Sequence, residues 1–268
     1  MRNNGEKSLS SEEGQSEHTE GIRKIDEIPT RLFAIGDLHG CADELRSLLT
    51  YLKTTLSLGS SDLVIFIGDY IDRGLKSKDV IDLLVDFKEQ FPSTVFLRGN
   101  HEDMFLSFLG LGGESGDSFL PNGGEQTLES YGIPKETPAL AVLSLLPEKH
   151  RRFFTTLEVG VSVAEFLFVH AGVRPGRPLE EQEVHDLMWI RGDFTGHIHE
   201  LGKTVVFGHT PFEDVLIHLP YKIGIDTGLV YGNLLSCVEL VEGDLYQVDF
   251  GESRVKVASL RHRFGSTT

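Results

Sequence analysis

The chain has 268 residues, with 25 Lys and Arg against 41 Asp and Glu, for a formal net charge of −16 at pH 7. That length suits one substantial α/β core, and the acidic field disfavours broad binding to nucleic-acid polymers or anionic membranes. There is no run of about 18 apolar residues, no apolar signal segment near the start, and no CxxC spacing at Cys41 and Cys237; a cytoplasmic protein with reduced, buried thiols is expected.

Residues 1–28 contain no aromatic side chain and are dense in Glu, Ser, Gly, Lys and Asn. A segment so poor in apolar surface is expected to be a flexible tail, with order beginning near Arg31 and one domain over 29–268. A strand at 31–36 leads into an amphipathic helix with Leu45, Leu48, Leu49 and Leu52 at three- and four-residue spacing. A second strand, 62–67, precedes a helix with an apolar face of Val80, Ile81, Leu84, Val85 and Phe87; a third, 94–98, precedes one with Met104, Phe105, Phe108 and Leu109. This β-α-β-α-β order calls for a largely parallel sheet with right-handed crossovers.

The Gly-rich and Pro-punctuated stretch 110–152 breaks that rhythm and holds one short helix, near Ala139 to Leu146. An insertion between site-bearing strands is either a substrate-selecting cap or a plain structural excursion. Strands are then expected at 157–163, 166–170, 204–207, 215–218, 222–225, 234–241 and 245–250, with a hairpin turn at Glu242-Gly243-Asp244. Parallel strands first and antiparallel strands later imply two packed sheets with helices outside.

Five polar motifs sit where apolar runs stop: Gly36-Asp37-Leu38-His39-Gly40, Gly68-Asp69-Tyr70-Ile71-Asp72-Arg73-Gly74, Arg98-Gly99-Asn100-His101-Glu102, Val169-His170-Ala171-Gly172 and Phe207-Gly208-His209-Thr210. Strand ends facing a common crevice are where open α/β sheets place their sites. Asp37 and His39 can be aimed by a turn at one ion, although such a pair alone also fits a polar loop with a helix cap. Asp69 can bridge two cations, and Asn100, His170 and His209 can complete a second coordination sphere. Mixed oxygen and nitrogen ligation without thiolate suits Mn2+, Fe or Zn2+, and two such ions can activate a shared hydroxide for in-line displacement at phosphorus.

His101 follows Asn100 directly and is carried to the rim of that site, where Asp72 could fix its tautomer; an imidazole with a carboxylate partner is a suitable general acid. Arg73 and Arg98 flank the same strand tips and present guanidinium forks to phosphate or to ordinary ion pairs, and Arg191, in Trp189-Ile190-Arg191, is a further phosphate-binding candidate. Gly196-His197-Ile198-His199 has ligand-like spacing but reads as a solvated loop, and Asp226 shapes the site from behind or closes a plain turn.

Taken in order, GDLHG, GDYIDRG, RGNHE, HAG and GHT resemble the phosphoprotein phosphatase family of metallophosphoesterases over residues 31–250, most of all its compact bacterial and phage-lambda type serine/threonine phosphatases. The resemblance implies a four-layer αββα sandwich with two mixed sheets, a small helical cap insertion, and two divalent ions such as Mn2+. It implies Asp37, His39 and Asp69 on the first metal, Asp69, Asn100, His170 and His209 on the second, His101 as general acid backed by Asp72, and Arg73, Arg98 and Arg191 on phosphate. The expected activity is phosphoserine and phosphothreonine hydrolysis by a metal-bridging hydroxide, on phosphoproteins or small phosphoesters. The alternatives are a symmetrical dinucleoside polyphosphate hydrolase, which Asp72 disfavours, and a non-catalytic metal-binding scaffold.

Overall fold

Short apolar runs buried on both faces set the frame of the structure, a computed structural model that describes residues 21–264. One six-stranded sheet has the order β12 (Val255–Ser259), β11 (Asp244–Asp249), β10 (Leu234–Glu239), β2 (Leu32–Ile35), β3 (Leu63–Phe66), β4 (Val95–Phe96). The other has the order β1 (Arg23–Ile25), β5 (Gly160–Val163), β6 (Phe166–Val169), β7 (Thr204–Phe207), β9 (Lys222–Gly224), β8 (Leu216–His218). Successive strand side chains point to opposite faces, and the packing follows that rule. Leu32 and Ala34 of β2 meet Phe166, Phe168, Val206 and Ile223 between the sheets. Phe33 and Ile35 turn the other way, onto α1 (Ala42–Thr54) and α2 (Ser77–Gln90). On the far side, Leu167, Val169, Val205 and Phe207 pack against α7 (Val184–Trp189) and α8 (Gly192–Thr195). Helix, sheet, sheet and helix are therefore stacked in four layers, the expected α/β sandwich.

Both sheets are mixed, and parallel pairs are not confined to the first half of the chain. β2, β3 and β4 run parallel, and so do β6, β7 and β9; antiparallel pairing is supplied by β10, β11 and β12, by β5 with β6, and by β8 with β9. Two edge strands, β1 and β12, escaped the sequence reading. β1 lies inside the stretch expected to be a tail: Arg23–Ile25 pairs parallel to β5, and Arg23 binds Glu158 through Nε at 2.6 Å and Nη2 at 2.9 Å. The edge of β5 offers free main-chain groups and Glu158 a fixed carboxylate, which together order three residues that lack an apolar pattern. Residues 1–20 of the expected tail lie outside the described residues.

The stretch 110–152 holds more helix than expected. After α3 (Asn100–Phe108) come two short 3-10 turns, α4 (Gly124–Ser130), the anticipated α5 (Ala139–Leu145), and the start of α6 (Glu148–Thr155). Phe119, Leu128, Ile133, Val142 and Leu146 drop from it into the core under α1 and α2. Phe119 packs tilted against Phe105 and Phe108, with ring centroids 4.9 and 5.0 Å apart. The chain ends its described part in α9 (Arg261–Phe264), and Cys41 and Cys237 are free and buried. Among the described residues no helix is long and apolar enough to cross a membrane.

Candidate metal centre

Each motif begins where β2, β3, β4, β6 or β7 leaves its sheet, and the turns bring the side chains together. Asp69 stands in the middle. Its Oδ2 lies 3.4 Å from His39 Nε2 and its Oδ1 lies 3.3 Å from His170 Nε2, so the two oxygens face opposite imidazoles. Both rings are aimed by main-chain carbonyls: His39 Nδ1 donates to Ile71 O at 2.8 Å and His170 Nδ1 to Ile67 O at 2.8 Å, which turns each Nε2 inward. Asn100 Oδ1 is 3.1 Å from His170 Nε2. Asp37 accepts the His209 main-chain N–H on Oδ2 at 3.0 Å, and the His209 ring meets the Trp189 ring edge-on with centroids 6.4 Å apart. All six of these predicted ligand residues are buried.

Ligand atoms of His39, Asp69 and His101 lie within 4.8 Å of one another, as do those of Asp69, His170 and His209. Asp37 Oδ1 and His209 Nε2 are buried without a hydrogen-bond partner. Buried polar atoms are normally satisfied; here an acceptor oxygen and an imidazole nitrogen are left bare beside two donor clusters that share one carboxylate. The residues fit a pair of divalent cations.

Backbone strain marks the same turns. His39, Asp69, Asp72, Arg73 and His209 have φ of 40°, 53°, 71°, 68° and 63°, the left-handed region that ordinary side chains avoid. Close approach does the rest: a Cβ on Gly99 would lie 2.1 Å from Asp69 Oδ1, so glycine there lets the start of α3 reach the central carboxylate.

Burial and mutual charge set the protonation of the centre. Burial raises Asp37 well above the carboxylate range, and Asp226 beside it adds to the effect. Asp226 is itself pushed up to about 6 by burial; it lies behind Asp37, and its Oδ1 closes a turn by accepting the Gly228 N–H at 2.9 Å. Burial alone would raise Asp69 too, but the imidazoles of His170, His101 and His39 hold it well below the usual range. His39 is lowered well below its ordinary value by burial, and His209 is lowered to about 2 for the same reason. Burial opposes a charge on His170, yet Asp69 carries it up to about 9.

His101 Nδ1 binds Asp72 Oδ2 at 2.7 Å, so the expected pair is formed. Burial lowers His101 to about 4 and raises Asp72 well above the carboxylate range. Of the three arginines, Arg73 donates from Nη1 to His39 Nε2 at 2.6 Å, and its guanidinium carbon sits 5.6 Å above the Tyr231 ring centroid. Arg191 donates to His209 O at 2.9 Å. Arg98 is turned toward Asp103, with Nε 3.5 Å from Oδ1. The structure thus brings Arg73 and Arg191 against metal-centre residues and pairs Arg98 with a carboxylate.

Gly196, His197 and Ile198 are exposed, as the sequence implied, but His199 is not. It is buried, donates from Nε2 to Tyr221 O at 2.7 Å and stacks on Phe194 with centroids 5.9 Å apart. Two residues were missed. Glu102 was quoted only as part of a motif, and Thr127, in the insertion, carries no local signal at all. Glu102 Oε1 and Oε2 accept the main-chain N–H groups of Asp69, Tyr70, Ile71 and Gly99 at 2.8 to 3.3 Å. Thr127 bonds Asp72 on both its N–H and its carboxylate.

A four-layer sandwich with Asp, His and Asn gathered at the ends of parallel strands around one shared carboxylate defines a metal-dependent phosphoesterase. The model of the calcineurin-like phosphoesterase family matches residues 30–233, and the chain belongs to that family. It is 26% identical over 243 residues to the asymmetrical bis(5'-nucleosyl)-tetraphosphatase PrpE of Oceanobacillus iheyensis, covering 80% of this chain and 90% of that one. The PrpE of Halalkalibacterium halodurans is 26% identical over 227 residues, with 78% and 89% covered. In fold, the chain is similar to a candidate diadenosine tetraphosphatase (TM-score 0.62, 21% identity, 85% of this chain and 97% of that one). It is also similar to a protein serine/threonine phosphatase from Saccharomyces cerevisiae (TM-score 0.55, 12% identity, 90% and 83%).

Proposed function

We propose that this phosphoesterase cleaves dinucleoside polyphosphates, with a bis(5'-nucleosyl) tetraphosphate as its substrate. The observation that carries phosphoester hydrolysis is the shared Asp69, flanked by His39 and His170, beside the bare Asp37 Oδ1 and His209 Nε2. The choice of a dinucleotide is supported by likeness to the PrpE enzymes over most of both chains. It reverses the ranking expected from the motifs alone, in which phosphoprotein hydrolysis stood first.

In this reading Asp37, His39 and Asp69 hold one divalent ion and Asp69, Asn100, His170 and His209 the other, with Mn2+ the first metal to try. Bound there, the cations supply charge neutralisation at phosphorus and activation of the attacking water. Arg73, Arg98 and Arg191 grip phosphate oxygens, a task for which a guanidinium fork is suited; Arg73 does so on leaving His39 Nε2, which then faces the cation. His101 delivers a proton to the departing oxygen while Asp72 holds Nδ1. A phosphate dianion beside His101 favours its charged form and so opposes the burial that lowers it.

The same pair favours a second reading. A serine or threonine alkoxide needs a proton on departure far more than a nucleotide phosphate does, so the His101–Asp72 contact at 2.7 Å suits a phosphoprotein substrate. Turnover of diadenosine tetraphosphate and of a phosphoseryl peptide, measured side by side with Mn2+, separates the two. Faster release from the dinucleotide is expected, with ATP and AMP from an unequal cut and only ADP from an equal one. Much faster dephosphorylation of the peptide would overturn the proposal, and inertness toward both substrates and p-nitrophenyl phosphate would point to a scaffold.

A further inference from the structure

The acid pair His101–Asp72 is held by the insertion, not by its own motif. Asp72 and Arg73 are consecutive residues in the left-handed region, and the main-chain N–H of each is taken by the segment that begins α4. Asp72 N donates to Thr127 Oγ1 at 2.8 Å, with Ser77 Oγ a longer second acceptor at 3.2 Å, and Arg73 N donates to Gly123 O at 3.2 Å. Thr127 Oγ1 in turn donates to Asp72 Oδ1 at 2.6 Å. One hydroxyl therefore clamps both ends of Asp72 and leaves Oδ2 to face His101 Nδ1. Asp72 and Thr127 are both fully buried, so no water substitutes readily. The approach needs glycine at 123, where φ is 106° and a Cβ would lie 2.5 Å from Arg73 N.

The clamp is anchored on two sides. Ser77 Oγ, at the start of α2, lies 3.1 Å from Thr127 Oγ1, and Ser130 Oγ accepts the Lys78 N–H at 3.0 Å. Phe119 and Leu128 fix the same segment in the core. We infer that Thr127 is a positioning residue for proton donation: it sets the Asp72 carboxylate, and through it the His101 ring, so that the departing oxygen meets the acid. This deepens the proposed mechanism and rests on His101 being the proton donor there.

The test compares Thr127→Val, Thr127→Ser and His101→Asn, each loaded with Mn2+, on phenyl phosphate and p-nitrophenyl phosphate. The first has a poor leaving group that needs a proton and the second a good one that needs it little. Thr127→Val is expected to lower kcat on phenyl phosphate about 10-fold, the scale of one lost hydrogen bond to a charged group. Its kcat on p-nitrophenyl phosphate should fall no more than about 2-fold, with KM and metal content unchanged, and Thr127→Ser should restore the phenyl phosphate rate. Thr127→Cys is carried in parallel in case the valine variant does not fold. Equal losses on both substrates, or none on either, would overturn the inference. If His101→Asn discriminates between the substrates and the Thr127 variants do not, only the positioning role falls; if His101→Asn fails to discriminate, the proton-donor reading falls first and this inference with it.

Discussion

Glu102 Oε2 accepts the main-chain N–H of Asp69 at 2.9 Å, and Asp69 Oδ1 accepts the main-chain N–H of His101 at 3.1 Å. The turn that follows β3 and the first turn of α3 are therefore each pinned by the other's carboxylate. Glu102 does more than cap its helix: its two oxygens order the main chain from Asp69 to Ile71, and with it the direction of the bridging carboxylate. Burial, with Asp69 nearby, pushes Glu102 up to about 8.

Replacing Glu102 by Gln sets an amide N–H2 against main-chain N–H groups that now point at an acceptor. Loss of stability of about 1–3 kcal/mol is expected, the usual cost of leaving buried donors unsatisfied, together with weaker metal binding. Urea unfolding and metal titration measure the two effects. A variant as stable as the parent would show that the four contacts contribute little.

His101 and Asp69 are predicted to fail differently. His101→Asn should lower turnover by about 10²- to 10⁴-fold, the range general acids contribute, while metal content stays near that of the parent. Asp69→Asn should lose metal along with rate, because one of the two facing oxygens becomes an amide. Metal analysis of both proteins beside their kinetics is decisive, and equal metal loss would contradict the assigned roles.

Chelation should lower the melting temperature, and added Mn2+ should restore it. The cause is that Asp37, Asp69 and Asp226 are buried close together, and cations that bind only the folded chain stabilise it by mass action. Differential scanning fluorimetry against Mn2+ concentration reads this directly. A melting temperature indifferent to chelator and metal would argue against a site built from these side chains.

Acid sensitivity is expected at the other end of the insertion. Asp82 of α2 is held by Lys149 at 2.8 Å, Lys78 at 2.7 Å and His150 at 3.0 Å. Burial would raise its carboxyl, but these partners hold it well below the usual carboxylate range. A lowered folded-state value adds stability that is complete above the ordinary value and is lost as pH falls through the lower one. Asp82→Asn should therefore cost about 1 kcal/mol near neutral pH, and the gap to the parent should close below about pH 4. A gap that widened in acid would refute the assignment.

The strands that carry the motifs were legible because they are buried on both faces. Leu32 to Ile35, Leu63 to Phe66, Phe166 to Val169 and Thr204 to Phe207 are continuous apolar or β-branched runs, as such strands require. β1 and β12 were not, since Arg23–Ile25 and Val255–Ser259 are edge strands whose side chains are mostly exposed. The six predicted ligands came together because each stands just past a strand end. Thr127 stayed hidden: it lies 55 residues from Asp72 in the chain, and a threonine between Gln126 and Leu128 has nothing to distinguish it. His199 was set aside as a ligand but misread as solvated, because a polar segment gives no hint that its ring stacks on Phe194 and binds Tyr221 O.

The left-handed backbone at His39, Asp69, Asp72, Arg73 and His209 sets heat resistance against usefulness. Each such residue holds about 1–3 kcal/mol of conformational strain, and glycine in its place would relax the chain while deleting the very group the turn exists to present. A laboratory search for hardier variants of this chain, scored on melting alone, would be drawn to these five positions and would return well-behaved but inert proteins.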